Sequence, residues 1–572
     1  MPDGSSVLRE SITGQRRTLT VGALLLMVHQ AGEAMVPVLV GVVIDRAVRT
    51  GDVKSLVLWI AVLGLDFLVL SNAHRVGSRL AWISEARTDQ AIRMRVTERV
   101  LEPRGGAERS LLPGALVNIA VSDAKRIARL QLALPFCFAG IAAMLAAAIA
   151  LLRISVPLGL LIMLGTPPLL WVLRLLGAPL RRRSGPEQER AAHSSGVAAD
   201  LVGGIRVLKG LGAETAAVNR YGLTSRDALG ATLHAGRAQA WYQGSVLAVN
   251  GLFLALIALV GGQLAARGAI TVGELVTSVG LAQFLLGPLT IFGRVVSSWS
   301  QAKPSADRVA EVLNAPVAVT GGDRAPDAPV AGELTFTDVR HGALDSMTLT
   351  VPAGQLLGLV SADPAPVLAL LRCLNRESDP ESGSVVLDGR AITELDPSAL
   401  RAAIVVSAHD AEVFAGTLRE NVLAGSARPA DSRSESEPPD DTAIEPALRA
   451  AHADEVARSL SDGLDTVLTE QGRSLSGGQR QRVALARALA SDAPVLVLHD
   501  PTTALDSVTE ARVAGALRQL RSGRTTIIAT TSPALLASCD RVITLDGGTV
   551  GASGHHHDLV EAHADYRALV LA

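Results

Sequence analysis

The sequence predicts a multidomain membrane protein, in which an all-α transmembrane domain of six helices with long cytosolic extensions is followed by an α/β domain. Three observations carry this. The 572-residue chain is 48% hydrophobic, with a mean hydropathy of +0.33, too apolar for an ordinary soluble multidomain protein. Its first half holds six apolar runs long enough to cross a bilayer, which takes about 20 residues of helix. Past a Gly/Asp/Pro-rich stretch, Gly321 to Pro329, strand-like alternation begins at Glu333-Leu334-Thr335-Phe336, and the pattern continues β-rich and then α/β to the end.

The six runs are Val21 to Ile44, Leu56 to Trp82, Leu132 to Leu152, Val156 to Leu176, Gly244 to Ala265 and Val272 to Val295. Their connections alternate between short and long. The long ones, Ile83 to Gln131 and Gly177 to Gln243, are charged, helical in pattern and rich in arginine (Arg87, Arg93, Arg95, Arg99, Arg181-Arg182-Arg183), which places them on the cytosolic side. Arg9, Arg16 and Arg17 precede the first run, which continues well past signal-peptide length without a small-residue cleavage pattern. A retained first span with a cytosolic N-terminus is therefore expected.

Ionisable residues inside apolar spans cost a few kcal/mol on insertion scales, so each is a candidate for function. His29 and Glu33, four apart on one helix face, and Asp66 are candidates for a substrate path; Arg174 and Arg294 are further charged residues in the spans. Mutual pairing, an interfacial position or the wetting of a cavity is the blander account of them and is favoured. Pro37, Pro135, Pro167-Pro168 and Pro288 are expected to kink their helices. A net charge of −2 gives no reason to expect a nucleic-acid partner. Cys137, Cys373 and Cys539 match no metal spacing or disulfide framework.

The most informative stretch of the second half is Leu475-Ser476-Gly477-Gly478-Gln479, leading into an Ala/Leu-rich helix and followed by His499-Asp500-Pro501-Thr502-Thr503-Ala504-Leu505-Asp506 at the distance of the next strand. Two glycines let backbone N–H groups approach a phosphate, Ser476 adds a hydroxyl, and the helix N-terminus behind them favours an anion. These residues resemble the signature of ABC-transporter ATPases. The first half is similar to the membrane domain of exporter-type half-transporters in that family, whose intracellular loops carry short coupling helices. Gly105 to Leu116 and Gly210 to Ala217 are the candidates for those helices. The resemblance implies a transmembrane domain over 1–318, a linker over 319–332 and a P-loop NTPase-like nucleotide-binding domain over 333–572. Asp506 falls in the D-loop, Thr469 to Gly472 ahead of the signature, and Gly416 to Asn421 at the start of the helical subdomain.

Family members carry Gly-x-x-Gly-x-Gly-Lys-Ser/Thr after the first buried strand, because glycine backbone wraps the phosphates, lysine neutralises them and the hydroxyl binds Mg²⁺. Here Val351 to Gln355 and Ser382 to Gly389 frame Ser361-Ala362-Asp363-Pro364-Ala365-Pro366-Val367-Leu368. Ser361, Pro364 and Pro366 replace the glycines, Val367 the lysine and Leu368 the hydroxyl, while Asp363 adds a negative charge. In the same alignment His409 takes the place of the Q-loop glutamine and His499 that of the Walker B aspartate. Asp500 takes that of the catalytic glutamate, and Thr531 stands near the switch histidine. No tyrosine occurs near Val339 to Met347 for adenine stacking.

In the family, each ATP lies between one domain's phosphate loop and the other domain's signature. The resemblance therefore implies a heterodimer in the cell membrane, with the ATPase domain cytoplasmic. A second half-transporter with intact Walker motifs would bind ATP and Mg²⁺, and Ser476, Gly477, Gly478 and Gln479 of this chain would close that site. This chain alone would have no catalytic residues of its own. The cargo, a small molecule, lipid or peptide, is not legible; a siderophore-type importer and a non-transporting regulator are the alternatives. Ser426 to Pro446 reads as a polar, Pro-rich surface insertion, and His555-His556-His557 as surface sequence near the family's usual ending.

Overall fold

A computed structural model describes residues 3–571 except 110, 410–411, 426–440, 470–471 and 473, and leaves the side chains of 178–184 and 289 undescribed. It divides into two compact units, Met1–Thr97 with Gly114–Asn314, and Glu98–Pro113 with Ala315–Ala572.

The first unit is helical, and six of its helices are long and apolar enough to cross a membrane: Arg16–Val48, Val53–Val100, Pro113–Ile154, Val156–Leu176, Glu214–Ala266 and Val272–Leu313. These are the six spans that hydropathy marks out. The second and fifth contain 48 and 53 residues, about 70–80 Å at 1.5 Å per residue. Both outrun a hydrocarbon core of about 30 Å, as the charged long connections require. Pro37, Pro135 and Pro167-Pro168 lie inside helices. The sixth span breaks at Leu285, between helices Val272–Phe284 and Leu286–Leu313, just before Pro288.

Close packing of small residues joins the first span to the sixth. A Cβ on Gly41 would sit 2.0 Å from Thr277 Oγ1, and one on Gly280 would sit 2.8 Å from Pro37 Cβ. Without a hydrophobic driving force in lipid, such close backbone approach supplies the dispersion contact that holds helices together. Asp45, just past the first apolar run, accepts from Gly273 N–H at 3.2 Å and from the Thr271 hydroxyl, and Thr271 and Glu274 form a capping box at the start of the sixth span. In the helical extensions beyond the apolar runs, the fully buried Asp123 carboxylate takes Arg308 Nε and Nη2, both at 2.7 Å, and the Ser305 hydroxyl at 2.9 Å. A buried charge held by a bidentate guanidinium ties the third span to the sixth.

Two details depart from the sequence-based expectation. The short helix expected at Gly210–Ala217 lies earlier, at Ile205–Gly210; Gly212 at φ +62° turns the chain, and the fifth span starts at Glu214. The segment Gly105–Leu116 is not one helix either, because Gly105 and Gly106 at positive φ hold it in turns and helix begins only at Pro113. An amphipathic helix, Gly4–Gly14, also precedes the first span.

Residues 98–113 and 315–332 pack with the second unit. Ala318 and Val319 N–H donate to Arg104 O at 3.0 and 3.3 Å, and Arg99 donates to Ala315 O at 2.5 Å. Gly106, at φ +106°, lies so near Pro316 that an added Cβ would stand 2.0 Å from its carbonyl oxygen. Gly106→Ala is therefore expected to cost about 2 kcal/mol, read as a lowered unfolding temperature of the purified chain. An unchanged temperature would contradict this packing.

In the second unit, β1 (Leu334–His341), β2 (Leu344–Val351), β4 (Ser382–Leu387) and β5 (Arg390–Ala391) form an antiparallel sheet in the order β2-β1-β4-β5. A second sheet is built from β3 (Leu356–Ser361), β6 (Ile404–Ser407), β9 (Val495–His499), β10 (Thr525–Ala529), β11 (Arg541–Asp546) and β12 (Thr549–Gly554). Its order is β12-β11-β3-β10-β9-β6, parallel except for edge strand β12. β7 (Gly416–Thr417) and β8 (Val467–Leu468) pair as a short ribbon beside the helices around Gly477–Ala490. β3 and β9 are nearly continuous apolar runs and β10 is buried at every residue, as strands covered on both faces must be.

Candidate nucleotide site and signature helix

In a parallel sheet with helices on its faces, ligands collect beyond the carboxyl ends of the strands. Here those ends are Ser361 of β3, Ser407 of β6, His499 of β9 and Ala529 of β10, held in register by the pairs Ala529–His499, Ala529–Leu359 and Ser407–Leu498. Asp363, His409, Asp500 and Thr531 follow within a few residues, so the folded sheet gathers onto one edge residues as far apart in sequence as Asp363 and Thr531.

The segment after β3 is a short turn into a helix. Helix Pro364–Leu374 starts at Pro364, with Asp363 as its N-cap at φ −102°, ψ 126°, and the Asp363 carboxylate accepts the Ala365 N–H at 2.9 Å. Proline is favoured at the first helical position because its missing N–H is one that would have no intrahelical partner. The consequence is chemical: Pro364 and Pro366 remove two of the donors a phosphate would use, and the third is taken by an internal carboxylate. Val367 is buried in the core between the two sheets, while Leu368 is 43% exposed. The Ser361 hydroxyl donates to Leu545 O of β11 at 3.0 Å. Asp363→Ala is expected to cost about 1 kcal/mol of stability, the usual worth of a cap, and to create no ATP affinity, since the prolines and the apolar side chains remain. Equilibrium unfolding together with a nucleotide titration checks both.

His409 and His499 face each other with ring centroids 5.6 Å apart, and each imidazole lies 3.8 Å from an oxygen of Asp500. Among the described residues no group of three or more His, Cys, Asp or Glu side chains is arranged to hold a metal ion. Asp500 sits at φ +47° with its N–H bonded to Ala529 O at 2.9 Å. Thr531 is exposed just beyond β10, after Thr530, whose N–H donates to Leu359 O at 3.0 Å. Gln481 is the residue here that sequence alone did not single out. Its amide donates to Asp500 O at 3.2 Å and Thr503 Oγ1 at 2.6 Å and accepts Ala504 N–H at 2.7 Å, linking the signature helix to the loop after β9. A lone glutamine on the otherwise apolar face of Gln481-Arg482-Val483-Ala484-Leu485-Ala486 was its only signal in the sequence.

Ser476 is the N-cap of helix Gly477–Ala490, where its Oγ accepts Gln479 N–H at 3.2 Å and its own N–H donates to Gln479 Oε1 at 2.8 Å. The capping box consumes an oxygen lone pair and leaves the hydroxyl hydrogen and the Gly477 and Gly478 N–H groups to donate outward. A Cβ on Gly477 would meet only Ala504 Cβ at 3.6 Å, whereas one on Gly478 would stand 2.7 Å from Ala504 O. Gly478 is thus required by packing and Gly477 is not. Asp506 caps helix Ser507–Leu520 through Val508 and Thr509 N–H, and these bonds hold its carboxyl below the usual range.

Comparison with known proteins gives the family of the chain. The family model for the ABC transporter transmembrane region matches residues 19–289, and the ABC transporter model matches residues 344–503. An ATP-dependent lipid A-core flippase of Thiobacillus denitrificans is 32% identical over 410 residues, 70% of this chain and 69% of the flippase. The chain belongs to the ABC transporter family.

Two other relatives are matched over different shares of their length. A multidrug efflux ATP-binding/permease protein of Mycobacterium bovis is 29% identical over 97% of this chain and 46% of its own length. A mitochondrial potassium channel ATP-binding subunit of Pongo abelii is 31% identical over 74% and 59%. The transporter chain thus spans about half to two thirds of these relatives.

In the spans of this ABC transporter chain, His29 Nδ1 lies 3.0 Å from Leu70 O and its Nε2 3.7 Å from Glu33, which also accepts from Gln30 at 2.6 Å. Asp66 stands beside Gly32 on the facing second span. His74, absent from the residues that sequence singled out, tilts against His29 with ring centroids 4.5 Å apart. Its spacing of eight from Asp66 puts the two on one helix face, a signal visible only once the second span is paired with the first. Glu470 and Gln471 of the segment ahead of the signature, and residues 426–440 of the polar insertion, lie outside the described residues. The end of that insertion is folded: Ile444 is fully buried and helix Glu445–Ala450 follows. At the C-terminus, His556 bonds Tyr566 at 2.8 Å and His557 pairs with Glu561 at 3.3 Å, so the three histidines do not act as one group.

Proposed function

We propose that this chain is the catalytically degenerate half of a heterodimeric ATP-driven exporter. Its own phosphate loop would be idle, and its Ser476–Gln479 would complete the ATP·Mg²⁺ site of a partner half-transporter with intact Walker motifs. The observation that carries the proposal is the contrast between two helix N-termini in one domain. At Pro364 the anion position is filled by the chain's own Asp363 and stripped of donors by proline; at Gly477 the donors are open and the cap is neutral. A phosphate finds a partner only at the second.

On this proposal the membrane domain 1–318 contributes six of twelve spans, the linker 319–332 leads to the nucleotide-binding domain 333–572, and the ATPase domain faces the cytoplasm. Ile205–Gly210 and the turn region from Gly105 act as coupling segments, and His29, Glu33 and Asp66 belong to the substrate path. The residues replacing the Walker, Q-loop and switch side chains, Ser361, Asp363, Pro364, Pro366, Val367, Leu368, His409, His499, Asp500 and Thr531, take no part in hydrolysis. Likeness to a lipid A-core flippase and a multidrug efflux protein favours a lipid or amphipathic small molecule as cargo and outward transport.

Nucleotide binding to the purified full chain without its partner tests this. No saturable ATP binding in the micromolar range is expected, and micromolar affinity would overturn the idle-loop assignment. Purification of the chain from its native membranes is expected to bring with it a second half-transporter carrying Gly-x-x-Gly-x-Gly-Lys-Ser; recovery of the chain only as a homodimer would overturn the pairing.

A further inference from the structure

A cavity of about 290 Å³ opens between helix Gly4–Gly14 and the extension of the sixth span, lined by Leu8, Arg9, Ile12, Trp299 and Lys303 with the Ser5 hydroxyl at its edge. Its depth follows from the flanking sequence. The apolar run of the sixth span closes near Val295; Trp299 comes one turn later, 48% exposed, and Lys303 another turn on along the same face. Arg16 and Arg17 stand where helix Gly4–Gly14 turns into the first apolar run. An aromatic ring followed by a cation with an aliphatic stem is the pattern of a membrane interface, where the ring lies at headgroup level and the ammonium reaches toward water.

The charges around the cavity do not balance. Asp3 is committed to the cap of its own helix through Ser6 N–H at 2.8 Å, Glu10 pairs with Arg95 at 2.8 Å, and Asp307 lies against Gly4 at the far end of the helix. Among the described residues, neither Arg9 nor Lys303 has a carboxylate within ion-pair distance. Two uncompensated cations thus share one apolar-walled cavity at headgroup depth. We propose that this cavity binds the phosphate of an anionic phospholipid, with Arg9 and Lys303 on the phosphate and Leu8, Ile12 and Trp299 against the glycerol and the first acyl carbons. An anionic lipid completes the site because it alone supplies both the charge and the apolar continuation at that depth. The site lies apart from the nucleotide chemistry and does not depend on the proposed function.

The test is native mass spectrometry of the full chain in detergent with phosphatidylglycerol and phosphatidylcholine added in equal amounts. Wild type is expected to retain one phosphatidylglycerol in preference to phosphatidylcholine. R9E/K303E is expected to lose about thirtyfold of that preference, R9Q and K303Q about fivefold each, and R9K to keep it. Equal retention of the two lipids by wild type, or an unchanged preference in R9Q and K303Q, overturns the site. Millimolar inorganic phosphate is expected to leave the lipid bound; displacement by it would identify a free-phosphate site and overturn the lipid assignment. The glutamine variants keep the test decisive if the double reversal does not fold.

Discussion

If this chain pairs as proposed, Gly477→Asp and Ser476→Arg are each expected to lower ATP hydrolysis by the co-purified pair at least about a hundredfold in kcat, the scale on which removal of a transition-state donor acts. Phosphoryl transfer to water leaves little covalent work for the protein, so donors held against the γ-phosphate carry much of the rate. The Ser476 hydroxyl and the Gly477 and Gly478 N–H groups are free to be those donors because the capping box satisfies only Gln479 N–H and Ser476 N–H. An aspartate at 477 puts a carboxylate where the phosphate would bind.

The choice of Gly477 is what makes the experiment interpretable. Its added Cβ meets nothing closer than Ala504 Cβ at 3.6 Å, an ordinary contact, so the variant should fold. Gly478 is unsuitable, because a Cβ at 2.7 Å from Ala504 O would confuse packing with catalysis. Phosphate release by the pair is the measurement. A rate within twofold of wild type for both variants would remove this chain from the active site and leave it a regulator at most.

Arg376→Met is expected to destabilise the second unit by about 4 kcal/mol, within the range for stranding buried partners of a charge. The Arg376 side chain is fully buried. Nε reaches Asp379 at 3.0 Å, Nη2 reaches Thr320 O at 3.0 Å, Gly321 O at 3.3 Å and Thr393 O at 2.9 Å, and Nη1 donates to Leu395 O. A single guanidinium therefore pins Thr320 and Gly321, which lead into the nucleotide-binding domain, to the 3₁₀ turn Ile392–Glu394 and its flank. Removing it leaves several buried carbonyls without donors.

Arg376→Lys is expected to be little better, because one ammonium with three donors cannot span four carbonyls. The check is thermal unfolding, with a drop of about 10 °C expected for a domain of this size. A drop smaller than about 3 °C for the methionine variant would show that water replaces the guanidinium without loss.

The parts of this protein that were legible in sequence are those decided over one or two turns of chain. The six spans follow from runs of about 20 apolar residues, whatever those runs pack against. Helix starts at Thr417 and Ser476 follow from a hydroxyl residue with Glu420 or Gln479 three positions later, and the start at Pro364 from Asp363 beside proline. The signature is legible for the same reason, since its donors lie within one helical turn.

What only the tertiary structure decided concerns partners far apart in the chain. The order β11-β3-β10-β9-β6 alone brings Asp363, His409 and His499 to one edge and sets two imidazoles about one carboxylate. Gln481 owes its role to the approach of the loop after β9, Arg376 to carbonyls on two other segments, and Gly106 to the passage of Pro316. His74 emerged only when the second span lay against the first. In each case the sequence determined the donor or the small residue, but the group it serves is supplied by packing. A hydrogen bond or close contact across a hundred residues has no local periodicity by which to be read. The amino-acid order therefore carried the six spans and the two helix starts at Pro364 and Ser476, and the fold supplied the distant groups that each of these segments meets.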